Sequence, residues 1–590
     1  MKIIVFFLKY YLKIKPIYVF VYLFHIVISA GFNVLNSIYL LRFVFDAFES
    51  QNDVRFILLR IFHIVFFDVL VMLFNRWFND IYSKKIELEV KEEFQKDIFK
   101  QAFRINLRYY DDSHFYNEYM MVIEKSDNIC ESVLKNLGRS LYNFLVFSSI
   151  VSLLFTIDVS VVSLIILSVV ISFLIDILIT KKQTEKEMKN LKYQREVEYF
   201  KRVFYLKDHL EEIKSIRETD FLFDQFIVAS KNLLLTNKKS SKPIIKLYML
   251  KGIIESFLSS FAIYLVLLYK LVVNASISIG DLSASLNSIW KLSEQLMQII
   301  ENIKQLYSNI IFGRKIQDFL NIRTLDTDIK GNSIEFPEHP SSLTVKNLSY
   351  SYDGRKTVLR NIDFEIKPNQ KIAIVGENGS GKSTLVKLIL GLYDNYNGEI
   401  LLNNIPINNY NFSHKSTYFS CLFQDFQIYS TTLVKNLFLD DLNHNSDTDK
   451  INEVLIKVGM DNKIKSLNKG LDTVLTKEYD EEGVELSLGE KQKIALARVL
   501  LSHASVIILD EPSSSFDPLS EQKFNEILSS SFSDRIVIFI SHRFLSTKNA
   551  DCIYLLSDGE IIEKGTHIEL MEMDGKYAHM YKIQKEKYSL

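Results

Sequence analysis

Gly376-Glu377-Asn378-Gly379-Ser380-Gly381-Lys382-Ser383-Thr384 decides the fold of the carboxy-terminal half. It fits the phosphate-binding pattern G-x-x-x-x-G-K-[ST]. Its flanks supply the context. Ile372–Val375 reads as a strand entering the loop, and Leu385–Leu390 as a helix leaving it. The glycines let backbone N–H groups wrap phosphates, and the helix amino terminus adds the positive end of its dipole. In that frame Lys382 reaches the β- and γ-phosphates and the Ser383 hydroxyl binds Mg²⁺, so ATP with Mg²⁺ is the expected ligand.

Downstream, Val506-Ile507-Ile508-Leu509 runs into Asp510-Glu511-Pro512. A buried strand ending in adjacent carboxylates points them opposite ways, so they can hold different roles. Asp510 is placed to hold the metal, and Glu511 to orient or deprotonate an attacking water. Further β-branched runs, Lys371–Val375, Ile536–Ile540 and Cys552–Leu556, alternate with helical stretches. That alternation predicts an α/β layered domain over 343–590. Upstream, Gly331, Pro337 and Pro340 sit among Asp and Asn residues, which reads as a linker over 321–342.

The half before the linker has another texture. The 590-residue chain is 48% hydrophobic yet 24% charged, and segregation of the two resolves the conflict. Ile17–Leu41, Leu141–Ile157 and Val159–Thr180 read best as membrane spans; Phe56–Phe78 and Ser256–Tyr269 follow, and Leu282–Ile300 is weakest. Ser83–Arg139 and Lys181–Lys251 are rich in Lys and Arg, whereas Asp46–Asp53, Asp158 and Asn274–Asp281 contain neither. Positive residues stay cytoplasmic, so residues 1–320 are expected to form an all-α domain of six transmembrane helices with both long loops inside. Helical patterns at Lys84–Gln101 and Gln194–Lys214 extend it into the cytosol. Asp68, Arg76, Asp176 and Lys291 are charges inside spans, candidates for a cavity, for mutual pairing or for a place near a membrane edge. The net charge of −1 excludes a general nucleic-acid binder. Cys130, Cys421 and Cys552 have neither disulfide nor metal-ligand spacing.

Between the two nucleotide motifs stands Gly483-Val484-Glu485-Leu486-Ser487-Leu488-Gly489-Glu490-Lys491-Gln492. It resembles the L-S-G-G-Q signature of ATP-binding cassette (ABC) transporters, and the whole chain resembles an exporter half-transporter. Leu488 replaces the first glycine and Glu490 the glutamine. The resemblance implies that Ser487, Leu488, Gly489 and Glu490 meet the ATP held by a second subunit. It also implies that Tyr352 stacks on adenine (with Tyr350 as rival), Gln424 touches Mg²⁺ and water, Asp517 serves the D-loop, and His542 contacts the γ-phosphate. Leu107–Asn117 resembles a first coupling helix, and Asp208–Asp224 is a second candidate.

The resemblance implies a dimer in the cytoplasmic membrane, multi-pass, with the ATPase domain in the cytoplasm. The altered signature beside an intact Glu511 favours a heterodimer over a homodimer. Features around Thr473–Asp480 and Phe115-Tyr116-Asn117 resemble lantibiotic and peptide exporters, so the expected cargo is a peptide. Multidrug or lipid export and a non-transporting sensing or immunity ATPase stay as alternatives.

Overall fold

A computed structural model describes all residues except 1, 50–52, 158, 217–218, 275, 323–333, 335, 338–341, 353, 411–417, 440–447, 479, 513–515, 517, 533, 543–546, 549 and 589–590. The chain forms two compact units. One comprises Met1–Lys100 and Glu118–Asn321, the other Gln101–Asn117 and Ile322–Leu590. The first candidate coupling segment therefore belongs with the second unit.

The first unit is helical. Its elements are α1 (Lys2–Ile14), α2 (Pro16–Val34), α3 (Leu40–Glu49), α4 (Val54–Trp77) and α5 (Ser83–Arg104), then, after α6 (Leu107–Asp111) of the second unit, α7 (Ser113–Ile157) and α8 (Val159–Tyr205). α9 (Lys207–Ile216), α10 (Thr219–Glu255), α11 (Ile263–Val272) and α12 (Ile279–Leu320) complete it. Short π-helical turns join α2 to α3, α4 to α5 and α10 to α11, giving six long helical segments among the described residues. Among the described residues, Pro16–Glu49, Val54–Arg104 and Ser113–Phe155 are long and apolar enough to cross a membrane. The α4 pass is the most apolar of these although its sequence carries Arg60, His63 and Asp68. Its apolar side chains are left outside: Leu58, Phe62, Phe66 and Leu73 are all exposed, an apolar surface suited to lipid or to a second chain. The helix expected over Gln194–Lys214 breaks at Leu206, where α8 ends and α9 starts.

Ala30, Ile38, Val146, Ile150, Leu154, Ile263, Leu267 and Ala284 make the unit's main apolar core. Asp176 on α8 accepts a hydrogen bond from Lys251 on α10 at 2.6 Å, both buried. Asp68, Arg76 and Lys291 instead line one cavity of about 720 Å³ together with Asn33, Asn36, Asn75 and Asn79. Of the four charges singled out by sequence, three share a cavity and one is paired.

The second unit holds two sheets. One is antiparallel, in the order β2 (Thr357–Ile366), β1 (Leu343–Ser351), β4 (Asn397–Leu402), β5 (Ile405–Pro406). The other runs β10 (Glu560–Gly565), β9 (Cys552–Ser557), β3 (Lys371–Gly376), β8 (Ile536–Ser541), β7 (Val506–Asp510), β6 (Phe419–Leu422). All its pairings are parallel except β9 with β10. Helices α13 (Lys382–Ile389), α14 (Leu433–Phe438), α15 (Thr448–Lys457), α16 (Asp461–Lys465), α17 (Leu488–Leu501), α18 (Pro518–Ser530), α19 (His567–Glu572) and α20 (Lys576–Tyr588) pack around them. β7 and β8 are buried at every position. A parallel strand covered on both faces reads as a continuous apolar run. The parallel register sets Asp510 beside Ile540, bringing the carboxyl ends of β3, β7 and β8 together, where ligands of such sheets bind.

Candidate active site

The phosphate loop leaves β3 at Gly376 and enters α13 at Lys382. Gly376 is irreplaceable by space alone: a Cβ there would lie 2.1 Å from the Leu556 carbonyl. Gly381 caps α13 with φ of 105°, and a Cβ there would meet Leu359 at 2.6 Å. Only glycine takes that backbone without strain. Lys382 Nζ donates to the Gly376 and Glu377 carbonyls at 3.0 and 2.8 Å. Burial lowers the Lys382 ammonium below its ordinary value, against the pull of Glu511 and Asp510. Ser380 Oγ is buried with no hydrogen-bond partner among the described residues.

A cavity of about 700 Å³ is lined by Asn378, Gly379, Gly381, Lys382, Ser383, Thr384, Gln424, Glu511 and His542, with Val358 as the apolar wall. Gln424 follows β6, Glu511 follows β7 and His542 follows β8, so three strand ends deliver them to one place. His542 Nδ1 lies 3.0 Å from Glu511 Oε1, an ion-pair distance. Glu511 has φ of 51°, a costly conformation for a residue with a Cβ. Two hydrogen bonds pin it. Its N–H donates to the Ile540 carbonyl at 3.0 Å, and its carbonyl accepts from Gln492 Nε2 at 3.3 Å.

Asp510 is buried, and its Oδ1 lacks a partner among the described residues. Burial pushes its carboxyl up to about 6; Glu511 adds to this while Ser383, Lys382 and Lys387 oppose it. Tyr352 is 40% exposed and its hydroxyl lies 3.0 Å from Thr384 Oγ1. Its rival Tyr350 is 2% exposed, a core residue of β1.

The signature residues are not among those lining this cavity. Ser487 is the N-cap of α17. Its hydroxyl accepts from the Glu490 N–H and its own N–H donates to the Glu490 carboxylate, a capping box. Lys463 lies 3.2 Å from that carboxylate. Leu488 stands 63% exposed in the first turn, next to Gly489. Asp517 lies outside the described residues, as do Ser514 and Ser515. Sequence reasoning missed Val358 and Gln492. Val358 gives no chemical signal, and Gln492 is a buried helix glutamine whose bond to the site goes to a backbone atom.

Residues 359–514 match the family described as ABC transporter. The chain carries an ABC transporter domain. That matched stretch starts in β2, spans the phosphate loop and ends just past Glu511, so it holds all of the cavity lining except Val358 and His542, and the cavity is that of a nucleotide-binding ATPase domain. The chain is similar to the subtilin transport ATP-binding protein SpaT of Bacillus subtilis, 26% identical over 503 residues, 85% of this chain and 81% of that one. It is similar to the ATP-dependent lipid A-core flippase of Photobacterium profundum, 36% identical over 245 residues, 41% of each chain. Among solved structures, a bacterial Atm1-family ABC exporter with ATP bound superposes with a TM-score of 0.79, at 20% identity, over 97% of this chain and 99% of that one. The ABC transporter domain and the helical unit before it thus follow the exporter fold.

Proposed function

We propose that this chain is one half of an ATP-driven exporter of the cytoplasmic membrane, working as a dimer, whose cargo is a peptide. The carrying observation is the convergence of Gln424, Glu511 and His542 on the cavity of the phosphate loop. On binding ATP, Lys382 exchanges its two carbonyl partners for phosphate oxygens. Tyr352 stacks on the base. Glu511 takes the proton of the attacking water, oriented by His542, which also meets the γ-phosphate. The unpartnered, buried Asp510 Oδ1 and the neighbouring Ser383 and Gln424 suit Mg²⁺, which when bound neutralises charge developing on the phosphates. Ser487 accepts one hydrogen bond in the cap and keeps its O–H as a donor for a nucleotide on a second subunit.

Six membrane spans fit the six helical passes, with the loops between α5 and α7 and between α8 and α10 on the ATPase side. Similarity to SpaT over four-fifths of its length supports a peptide cargo, since that protein is named for subtilin transport. A cavity of about 640 Å³ in the helical unit mixes amides (Asn79, Gln298, Asn302, Gln305) with the charged Lys135, Arg139 and Glu301, a lining that favours a polar cargo over bare acyl tails. The flippase similarity keeps lipid export as the second reading, but it spans about two-fifths of that chain.

The test uses purified protein in nanodiscs. Lys382→Ala should abolish ATPase activity, and Glu511→Gln should bind ATP while losing turnover by about 10² to 10⁴-fold. Normal hydrolysis by Lys382→Ala would defeat the assignment. ATP-dependent peptide accumulation in inverted vesicles separates transport from a sensing role.

A further inference from the structure

Three tyrosines join the nucleotide cavity to α6. Tyr352 stands at its edge beside Thr384. Tyr393, after α13, is 1% exposed and packs edge-on against Tyr352, with ring centroids 5.4 Å apart at 88°. Tyr350 closes the triangle at 5.0 Å from Tyr352 and 5.6 Å from Tyr393. The Tyr393 hydroxyl then leaves the aromatic cluster and donates to Asp111 Oδ2 at 2.8 Å. Burial, then the Asp111 carboxylate, raises the Tyr393 phenol above its ordinary value, so it stays a donor.

Asp111 ends α6. That helix is seated at its other end as well: Asn106 caps it, and the Leu107 N–H donates to the Leu392 carbonyl at 3.3 Å, one residue before Tyr393. Leu107 packs on the core beneath the antiparallel sheet. One buried side chain therefore touches both the residue facing the base and the end of the helix that joins α5 to α7.

We propose that Tyr393 is a positioning residue that couples occupancy of the base-facing Tyr352 to the seating of α6. This rests on the reading that Tyr352 stacks on adenine. Edge-on aromatic contacts and a hydrogen bond to a carboxylate are both directional. A base fixing Tyr352 restricts Tyr393, and Tyr393 holds Asp111. Coupling is reciprocal by thermodynamic necessity, so loosening α6 must weaken ATP binding by the same factor. The phosphates are gripped elsewhere, by Lys382 and the loop, so the device reads the base rather than the phosphates.

The experiment measures amide hydrogen exchange over 105–117 in the full-length protein in nanodiscs, with Mg²⁺ and either ATPγS or inorganic tripolyphosphate. ATPγS should slow exchange in α6 about fivefold or more, whereas tripolyphosphate, which has no base, should not. Tyr393→Phe and Asp111→Asn should each remove the ATPγS effect and raise KM for ATP, Asp111→Asn leaving turnover at saturating ATP within about twofold of the parent. The double variant should be no worse than either single one. Equal slowing by tripolyphosphate, retained slowing in Tyr393→Phe, or additive losses in the double variant would overturn the proposal. Tyr352→Ala separates the two layers. If it weakens ATP but not tripolyphosphate, the adenine reading stands and the coupling is judged alone. If it leaves ATP affinity unchanged, the adenine reading falls and the coupling with it.

Discussion

Asp510 is a single buried group whose charged form costs the fold stability. Its carboxyl titrates near 6 in the folded chain against an ordinary 3.8, so the fold disfavours its charge. The sign follows: the cost is absent below about pH 4, grows between pH 4 and 6, and is complete above that. Two pH units correspond to about 3 kcal/mol. In nucleotide-free protein with a chelator, Asp510→Asn should therefore melt roughly 5–10 °C higher at pH 7.5, with the gain vanishing near pH 4. The same variant should lose Mg²⁺-dependent ATPase activity. An unchanged melting curve at pH 7.5 would mean that the carboxylate is already compensated. Sequence alone gave Asp510 its place at a strand end, but not this tension. The missing partner of Oδ1 and the depth of burial belong to the packed sheet.

At the scale of elements, α17 carries the departure from the family signature. Its capping box satisfies the N–H groups of Ser487 and Glu490 and turns the Glu490 carboxylate toward Lys463. Ser487→Ala should cost about 1 kcal/mol of stability in the ATPase domain, read as a lowered denaturant midpoint. Leu488 contributes little to that cap and holds an apolar side chain in water. Leu488→Gly should raise the ATPase activity of the chain purified alone severalfold if it obstructs a partner's nucleotide. Unchanged activity would remove the argument for a degenerate half-site. The parallel strands β3, β7, β8 and β9 were legible because burial on both faces leaves an unbroken apolar run. The antiparallel sheet leaves no such run. Leu343-Thr344-Val345 alternates as a half-buried strand must, but Asn347 and Asn361 sit at positive φ and shift the register, breaking the period of two. Loop Leu107–Asn117 was recognisable as a segment, yet its anchor Tyr393 lies 282 residues from Asp111, and no local pattern spans that distance.

The whole molecule divides its charges between structure and surface in a way that hydropathy could not sort. Asp176 and Asp68 look alike in sequence, each a carboxylate inside an apolar run. One is clamped to Lys251 between α8 and α10; the other borders a polar cavity. Lys251→Met should strand Asp176 and destabilise the helical unit by about 3–5 kcal/mol, whereas Lys251→Met with Asp176→Asn should recover most of it. Thermal unfolding in detergent measures both, and equal losses would show that the pair is not mutually compensating. The division into units has a practical consequence. An ATPase fragment cut after Leu320, where composition places the start of the linker, leaves behind the seventeen residues 101–117. It would bare the seat of Leu107, the Leu392 carbonyl and the Tyr393 hydroxyl to solvent. Such a fragment should clump on concentration, and a synthetic 101–117 peptide added in trans should dissolve it. The border between the two units is thus not a cut in the chain, and a fragment that respects it must carry the 101–117 segment along.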